Sequence, residues 1–445
     1  MEWYYALSFL LGMILFFMFL GVPVALAFIA ANMIGATYFM GGNGDIWRQM
    51  TRGIGQLTNN ALPTVTNFNL MPVPMFLLMG EFFFHTGLAN KMFGAVEKLM
   101  GRLPGRLSFV TVAGGTAFAT LSGSSMGSTA LLGSLMVPEM EKRGYKKHMA
   151  IGPILGTGGL AMLIPPSALA VLLATLATLD VGDLLVAGVV PGLMLACMYV
   201  LLILFLVWWD PSAAPAYEVD RTSGGEKLKL FLLDILPMMS IVFGVILLIM
   251  NGWATPSESA AFGCLGVLLL AVIYRKLTWQ GFVNSVTGAL RVTTMALLII
   301  FGSATFSALL AFSGASSGLI RWATQFEFDP IVMLLIMFAI LLVLGMFMDQ
   351  LSMMLLTVPI FFPLAQSLGF DLIWFGVIIL LALEISFTTP PFGLLLFVMK
   401  GVSPPDTKMS DIYKAAIPYM GCAIFLVGLL IIFPGIALWL PGLGQ

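Results

Sequence analysis

The chain has 445 residues with 20 basic and 21 acidic side chains, a net charge of −1, 60% apolar residues and a mean hydropathy of +1.04. A folded surface in water cannot cover so much apolar area, and the charge balance offers no basic face for nucleic acid. Cys197, Cys264 and Cys422 lie singly in apolar runs. Soluble enzyme, nucleic-acid binder and disulfide scaffold are therefore excluded, and the composition is that of an all-α, polytopic membrane protein.

A crossing helix needs about 20 apolar residues, and charge-free runs mark the candidates in chain order. The first run, Trp3–Gly44, divides at Gly21-Val22-Pro23 into crossings near 3–20 and 23–40, because proline cannot continue a helix interior. It has no basic leading region and no cleavage-type exit, so a signal peptide is not expected. Trp47 with Arg48 and Arg52 reads as an interfacial amphipathic stretch, and 69–90 as the third crossing. Lys91–Arg102 has the pattern of a helix lying flat at the surface. The segment 107–138 has basic residues before and after it, so both ends lie on one side and it enters and returns. Crossings at 149–179 and 184–209 follow, then a mixed, polar stretch, Asp210–Lys229. The second half repeats the order: 235–250, 257–273, 292–313, a returning segment at 330–363, then 372–399 and 415–440. Leu319–Glu327 is its flat surface helix.

Five segments, Lys91–Arg106, Lys142–Lys147, Arg221–Lys229, Arg275–Arg291 and Lys400–Lys414, hold every basic residue except Arg48, Arg52 and Arg321. Lysine and arginine collect on the cytoplasmic side, which places both termini in the periplasm. Landmarks then recur at a near-constant offset: Pro23 with Pro256, Trp47 with Trp279, Thr86-Gly87-Leu88 with Ser317-Gly318-Leu319, Pro138 with Pro363, and Pro165-Pro166 with Pro390-Pro391. Five crossings per half is odd, so the second half enters upside down. That is the inverted-repeat plan of secondary transporters, whose sites lie at the midplane where helices break.

Irregular backbone at membrane depth is tolerated only where it is buried or lines a cavity. Four places have that composition: Ser122–Thr129, Gly345–Ser352, Ile164-Pro165-Pro166-Ser167, and Thr388-Thr389-Pro390-Pro391-Phe392-Gly393. Prolines free preceding carbonyls, which with hydroxyls suit a hard cation, while half-helix N-termini suit an anion. Tight packing of small residues is the competing reading for Ser122–Thr129. Acids at membrane depth cost about 2.5–3.5 kcal/mol each, so Asp349 and Glu384 are candidates. Asp349 either binds a cation or fixes the hairpin tip by hydrogen bonds. Glu81 is a further acid in an apolar run, and Glu258 reads as a first-turn helix residue. His85 and His148 are lone histidines without a nearby ligand partner.

The runs Phe118–Ser125, Leu163–Ser167, Thr357–Pro363, Thr388–Gly393 and Gly21–Ala25, in this order and across essentially the whole chain, resemble the large membrane subunit of TRAP (tripartite ATP-independent periplasmic) transporters. The resemblance implies a two-hairpin elevator of the ion transporter superfamily in the bacterial inner membrane, driven by Na+. It implies two partners, a small four-helix membrane subunit and a periplasmic substrate-binding protein. The chain opens at its first span, so the small subunit is expected as a separate polypeptide. Residues 1–209 then form the first repeat (scaffold 1–68 and 184–209, transport part 107–179). A linker, 210–234, precedes the second repeat, 235–445 (scaffold 235–313 and 415–440, transport part 330–400).

Carried over, the sodium ligands are drawn from Ser122, Gly123, Ser124 and Pro165 on one side and Gly345, Asp349, Ser352, Thr388 and Thr389 on the other. Many relatives have an alanine and an acid after the first-hairpin serines, where Met126-Gly127 stands here. Substrate contacts are expected from Ser124, Ser125, Ser167, Thr389 and Gly393. The substrate implied is a small carboxylate or sulfonate, held loosely, since no lysine or arginine falls at the midplane. A stand-alone sodium/organic-acid symporter without a binding protein is the alternative. A channel would need a continuous polar pore, and an intramembrane enzyme a catalytic set that the spacing does not supply.

Overall fold

Proline and glycine cut the apolar runs into helices. In the computed structural model α1 (Trp3–Phe19) ends before Gly21, at φ +79°, and Pro23 caps α2 (Val24–Phe39). The structure describes residues 2–100, 103–122, 124–215, 223–325 and 328–443, without the side chains of 60, 61, 64, 65, 69, 121, 122 and 324. Among the described residues there is no strand.

The first half continues with α3 (Ile46–Val65), α4 (Pro72–His85), α5 (Leu88–Leu99), α6 (Arg106–Ser122), α7 (Ser125–Lys142), α8 (Lys147–Gly159), α9 (Ala168–Leu176) and α10 (Val181–Trp209). The second half contains α11 (Gly224–Leu230), which runs through a π turn into α12 (Leu236–Met250), then α13 (Pro256–Ile273), α14 (Trp279–Phe312), α15 (Ala315–Thr324), α16 (Pro330–Leu344), α17 (Gln350–Ser367), α18 (Leu372–Phe387), α19 (Leu394–Val402) and α20 (Met409–Ile432). Six described helices are long and apolar enough to cross a membrane, including α10, α14 and α20.

The order of elements in the two halves corresponds. Helices α6 and α7 pack on each other as a hairpin, α7 starting at Ser125 after its cap Ser124, and α16 and α17 do so around 345–349. Helices α8 and α9 are separated at the first double proline, α18 and α19 at the second, and both Pro–Pro bonds are cis. Two features differ from the sequence expectation. Helices α3 and α4 are separate, with Pro72 opening α4, whereas no proline lies within α14, and the crossing expected near 292–313 is the C-terminal part of one helix of 34 residues. The glycine matching Gly87 is Gly314 rather than Gly318. Gly87 and Gly314 cap the amphipathic helices α5 and α15 at φ +72° and +74°, left-handed conformations that a Cβ disfavours. The tails of the two flat surface helices, at Arg102 and Glu327, lie outside the described residues.

The five basic segments are joined at one end. The Lys91 ammonium is 2.9 Å from Asp234 and 3.5 Å from the centre of the Tyr274 ring, beside Arg275. The Gly105 and Lys146 amides donate to the carbonyls of Ala214 and Ala213 at 3.2 and 2.9 Å. Lys146 pairs with Asp210 at 2.5 Å, and Lys147 with Asp406 at 2.8 Å. The hydrogen bond from Lys146, helped by Ser212, pulls the Asp210 carboxyl down to about 2. Lys147 likewise lowers Asp406.

Two apolar cores organise the helices. One contains α1, α2, the C-terminal half of α14 and Leu355 and Leu356 of α17; the other contains the hairpins, the broken helices, α10 and α20. Asn32 on α2 is fully buried and donates to the Gly302 carbonyl (2.7 Å) and Thr305 hydroxyl (2.6 Å) of α14, so a polar clamp satisfies donors that would be costly to strand. Helix α3 lies close on α2: a Cβ on Gly53 would fall 2.4 Å from the Ala36 carbonyl oxygen. Helices α10 and α20, expected with the scaffold, pack on the broken helices. Gly156 of α8 lies against the Tyr199 and Tyr419 rings, whose centres are 5.2 Å apart.

Candidate functional site

Each break is closed by local chemistry. At the first hairpin tip Ser124 caps α7, its hydroxyl accepting the Gly127 amide at 3.1 Å. Ser125, the first residue of the helix, is 3% exposed and its hydroxyl has no hydrogen-bond partner. At the second tip the Asp349 carboxylate accepts the Leu351 and Ser352 amides at 3.1 and 3.3 Å and the Ser352 hydroxyl. The hydrogen-bonded cap, one of the two roles left open for Asp349, is present. Gly345 ends α16 against Ser386 of α18; a Cβ there would lie 2.2 Å from the Ser386 hydroxyl.

The double prolines are closed similarly. Ser167 caps α9 through the Ala170 amide (3.2 Å) and donates to the Met162 carbonyl (3.0 Å). Thr388 and Thr389 each donate to the Ile385 carbonyl, at 3.0 and 2.7 Å. Their hydroxyl protons are thereby used and their oxygen lone pairs stay available. The Gly393 amide donates to the Thr389 carbonyl at 3.0 Å and closes the loop before α19.

Both hairpin tips open on one cavity of about 630 Å³. Ser124, Ser125, Met126 and Gly127 come from the first tip, and Asp349, Gln350 and Leu351 from the second. Glu81 and His85 of α4 stand in the same wall, with Ala168 and Leu172 of α9 and Val292 and Met295 of α14. Of the sequence candidates, then, Ser124, Ser125 and Asp349 share the cavity. Ser167, Thr389, Gly393, Pro165, Gly345, Ser352 and Thr388 are not in its lining. Gly123 and the Ser122 side chain lie outside the described residues.

Three cavity residues were undervalued or missed by the sequence reading. Gln350 is 6% exposed and its amide nitrogen has no partner, so each tip presents one unsatisfied polar atom beside the cavity. His85, read as a lone histidine, lies 3.1 Å from the Glu81 carboxylate one turn earlier. The acid–histidine spacing of four on one helix was the available signal. Glu258 is the first-turn residue expected: it forms a capping box with Thr255.

This is the architecture of a multi-pass transport protein, with paired hairpins facing a central cavity. Residues 11–436 match the family described as "Tripartite ATP-independent periplasmic transporter, DctM component". A C4-dicarboxylate TRAP transporter large permease protein, DctM, of Rhodobacter capsulatus is 31% identical over 397 residues, 85% of this chain and 88% of that protein. The sialic acid TRAP transporter large permease protein SiaM of Vibrio cholerae is 29% identical, over 88% of this chain and 90% of that one. Among solved structures, the YdaH transporter of Alcanivorax borkumensis has a similar fold, with a TM-score of 0.61 and 14% identity over 86% of this chain and 89% of that one.

The chain belongs to the tripartite ATP-independent periplasmic transporter family, as its DctM component. It is a transporter and not an enzyme, and a multi-pass membrane protein. As a large permease it works with a small membrane subunit and a periplasmic binding protein.

Proposed function

We propose that the chain carries a small organic acid across the bacterial inner membrane, coupled to sodium, after a periplasmic binding protein delivers it. The observation that supports this best is the convergence of both hairpin tips on one cavity of about 630 Å³, a volume suited to a small metabolite. The relatives are named for carboxylates such as sialic acid and C4-dicarboxylates. In this reading the substrate's acid group lies near the N-terminus of α7. That end has a neutral serine cap and the free hydroxyl of Ser125, whereas the α17 N-terminus already has Asp349.

Sodium would be held by oxygens at the breaks: the lone pairs of Thr389, the Gly345–Ser352 tip with Asp349, and the serines of the first tip. These hard, mostly neutral oxygens fit an alkali cation. The halves act as an inverted repeat, with the basic end cytoplasmic and both termini periplasmic. Helices α6–α10 and α16–α20 move together as an elevator against α1–α4 and α12–α14, and α5 and α15 are tethers. Assigning α10 and α20 to the moving body follows their packing on α8 and α18.

Proteoliposomes holding the two membrane subunits, supplied with the loaded binding protein, test the reading. An inward sodium gradient should drive uptake, and potassium in its place should abolish it. Uptake that persists in potassium overturns the sodium assignment. Uptake without the binding protein overturns the tripartite route in favour of a stand-alone symporter. Ligand screening of the binding protein identifies the acid.

A further inference from the structure

A second polar cluster lies away from the hairpin tips, where the two broken helices meet. Glu384, three residues before the end of α18, is 4% exposed. Its side chain lies over Gly159, the last residue of α8, so closely that a Cβ there would fall 2.1 Å from its carboxyl oxygen. One carboxyl oxygen accepts a long hydrogen bond, 3.5 Å, from the Tyr199 hydroxyl of α10. The other has no partner, and neither has the Tyr419 hydroxyl of α20. All three side chains line a cavity of about 10 Å³, with Thr388, Leu155, Gly156 and Met420. The titratable groups nearby are Tyr199, Tyr419 and Cys422, and no described basic side chain lines the space.

This is an unfavourable place for a free carboxylate. An ionised acid buried without a counter-ion loses far more hydration than one long hydrogen bond returns. Gly159 against it is the last residue of α8, and Glu384 is itself in the last turn of α18, so the negative dipole ends of both helices are close by. The group therefore needs a positive partner, and the size of the space limits which one. A cavity of about 10 Å³ is at the lower bound for one water molecule. A sodium ion wants several oxygen ligands, and here one carboxylate, one threonine and two phenols stand among apolar walls. A proton needs only one acceptor, and the Tyr419 hydroxyl or a single water supplies it.

We infer that Glu384, with Tyr199 and Tyr419, forms a proton-binding site at the junction of the two broken helices, separate from the cavity at the hairpin tips. The bound proton keeps the acid neutral and lets its side chain lie against Gly159 at the end of α8.

Infrared spectroscopy of the assembled membrane subunits in lipid nanodiscs tests this at neutral pH. The protonated-carboxyl band should be present in the wild type, lost in Glu384→Gln, and shifted in Tyr199→Phe. If Glu384→Gln does not fold, the band shift in Tyr199→Phe and mass-spectrometric mapping of dicyclohexylcarbodiimide, which reacts with buried protonated acids, give the answer on wild-type protein. An adduct on Glu384 supports the site. Identical wild-type and Glu384→Gln spectra, or no adduct on Glu384, overturn it. Replacing choline chloride with sodium chloride at fixed pH should leave the band unchanged. Its disappearance would make this a sodium site and also overturn the inference.

Discussion

Ser124 and Asp349 are equivalent residues facing one cavity: each caps the second arm of its hairpin, one with a neutral hydroxyl and the other with a carboxylate. The same offset of 225 residues separates Pro165 from Pro390. Both capping residues have extended backbone, but one is neutral and the other negative. Replacing Asp349 with Ala removes three accepted hydrogen bonds and should lower stability by about 1 kcal/mol. Asn in its place keeps most of the cap and removes the charge. Sodium-induced thermal stabilisation, read as the difference in Tm between sodium and choline chloride, should shrink in both Asp349→Asn and Ser124→Ala. A full sodium response in Asp349→Asn would restrict the residue to capping.

The Glu81–His85 pair stands in the wall of the cavity that the tips share. Neither His85→Ala nor Glu81→Gln removes core packing, so each should keep Tm within the range of an ordinary surface change, about 0.5 kcal/mol. Each should cut uptake by about tenfold, equivalent to about 1.4 kcal/mol of lost interaction. Wild-type uptake in both variants would place the pair outside the transport path.

Gly159 has no room for a side chain because the Glu384 carboxyl occupies it. Gly159→Ala should destabilise by about 1–3 kcal/mol, the usual range for overpacking. Adding Glu384→Ala should recover part of that loss, since the clash is between these two residues. A double-mutant cycle in thermal unfolding measures the coupling, and strict additivity would contradict the contact.

Asp210 has a carboxyl held near 2 by Lys146. A lowered carboxyl contributes stability above its unfolded-state value and loses it as pH falls toward its folded value. The wild type should therefore lose a small increment of Tm between about pH 4 and pH 2 that Asp210→Asn lacks. The pair is exposed, so high salt should reduce the difference further. A difference that grows on raising the pH above 5 would contradict the assignment.

The joined basic end predicts sidedness. With the three cysteines replaced by serine, Ser223→Cys should react with an impermeant maleimide only in inside-out vesicles, and Trp439→Cys only in right-side-out ones. Reversed labelling would turn the molecule over while leaving its internal pairing intact.

Crossings, hairpins and broken helices were legible because their causes are local. Proline removes a donor whatever surrounds it, and a run of about 20 apolar residues belongs in lipid. Asp349 was legible too, because an acid in an apolar run demands a reason. Gly314 was not. Matching letters favoured Gly318, but the equivalent glycine is the one with the left-handed φ. For α14 the charge pattern marked only the apolar part, 292–313, as a crossing, because 275–291 carries basic residues; the helix itself starts at Trp279 and has no proline to stop it.

Sequence by itself determined that the chain lives in a membrane, where its helices break and which ends carry positive charge. These follow from transfer energies and backbone chemistry acting within about 20 residues. Only the tertiary structure decided which breaks share a space. It brought Ser125, Gln350 and the Glu81–His85 pair to one cavity and left Ser167, Thr389 and Gly393 out of its wall. It also put Glu384 between two tyrosines from helices 185 and 35 residues away in the chain. Packing across such separations depends on which faces meet, and no local pattern of residues specifies that.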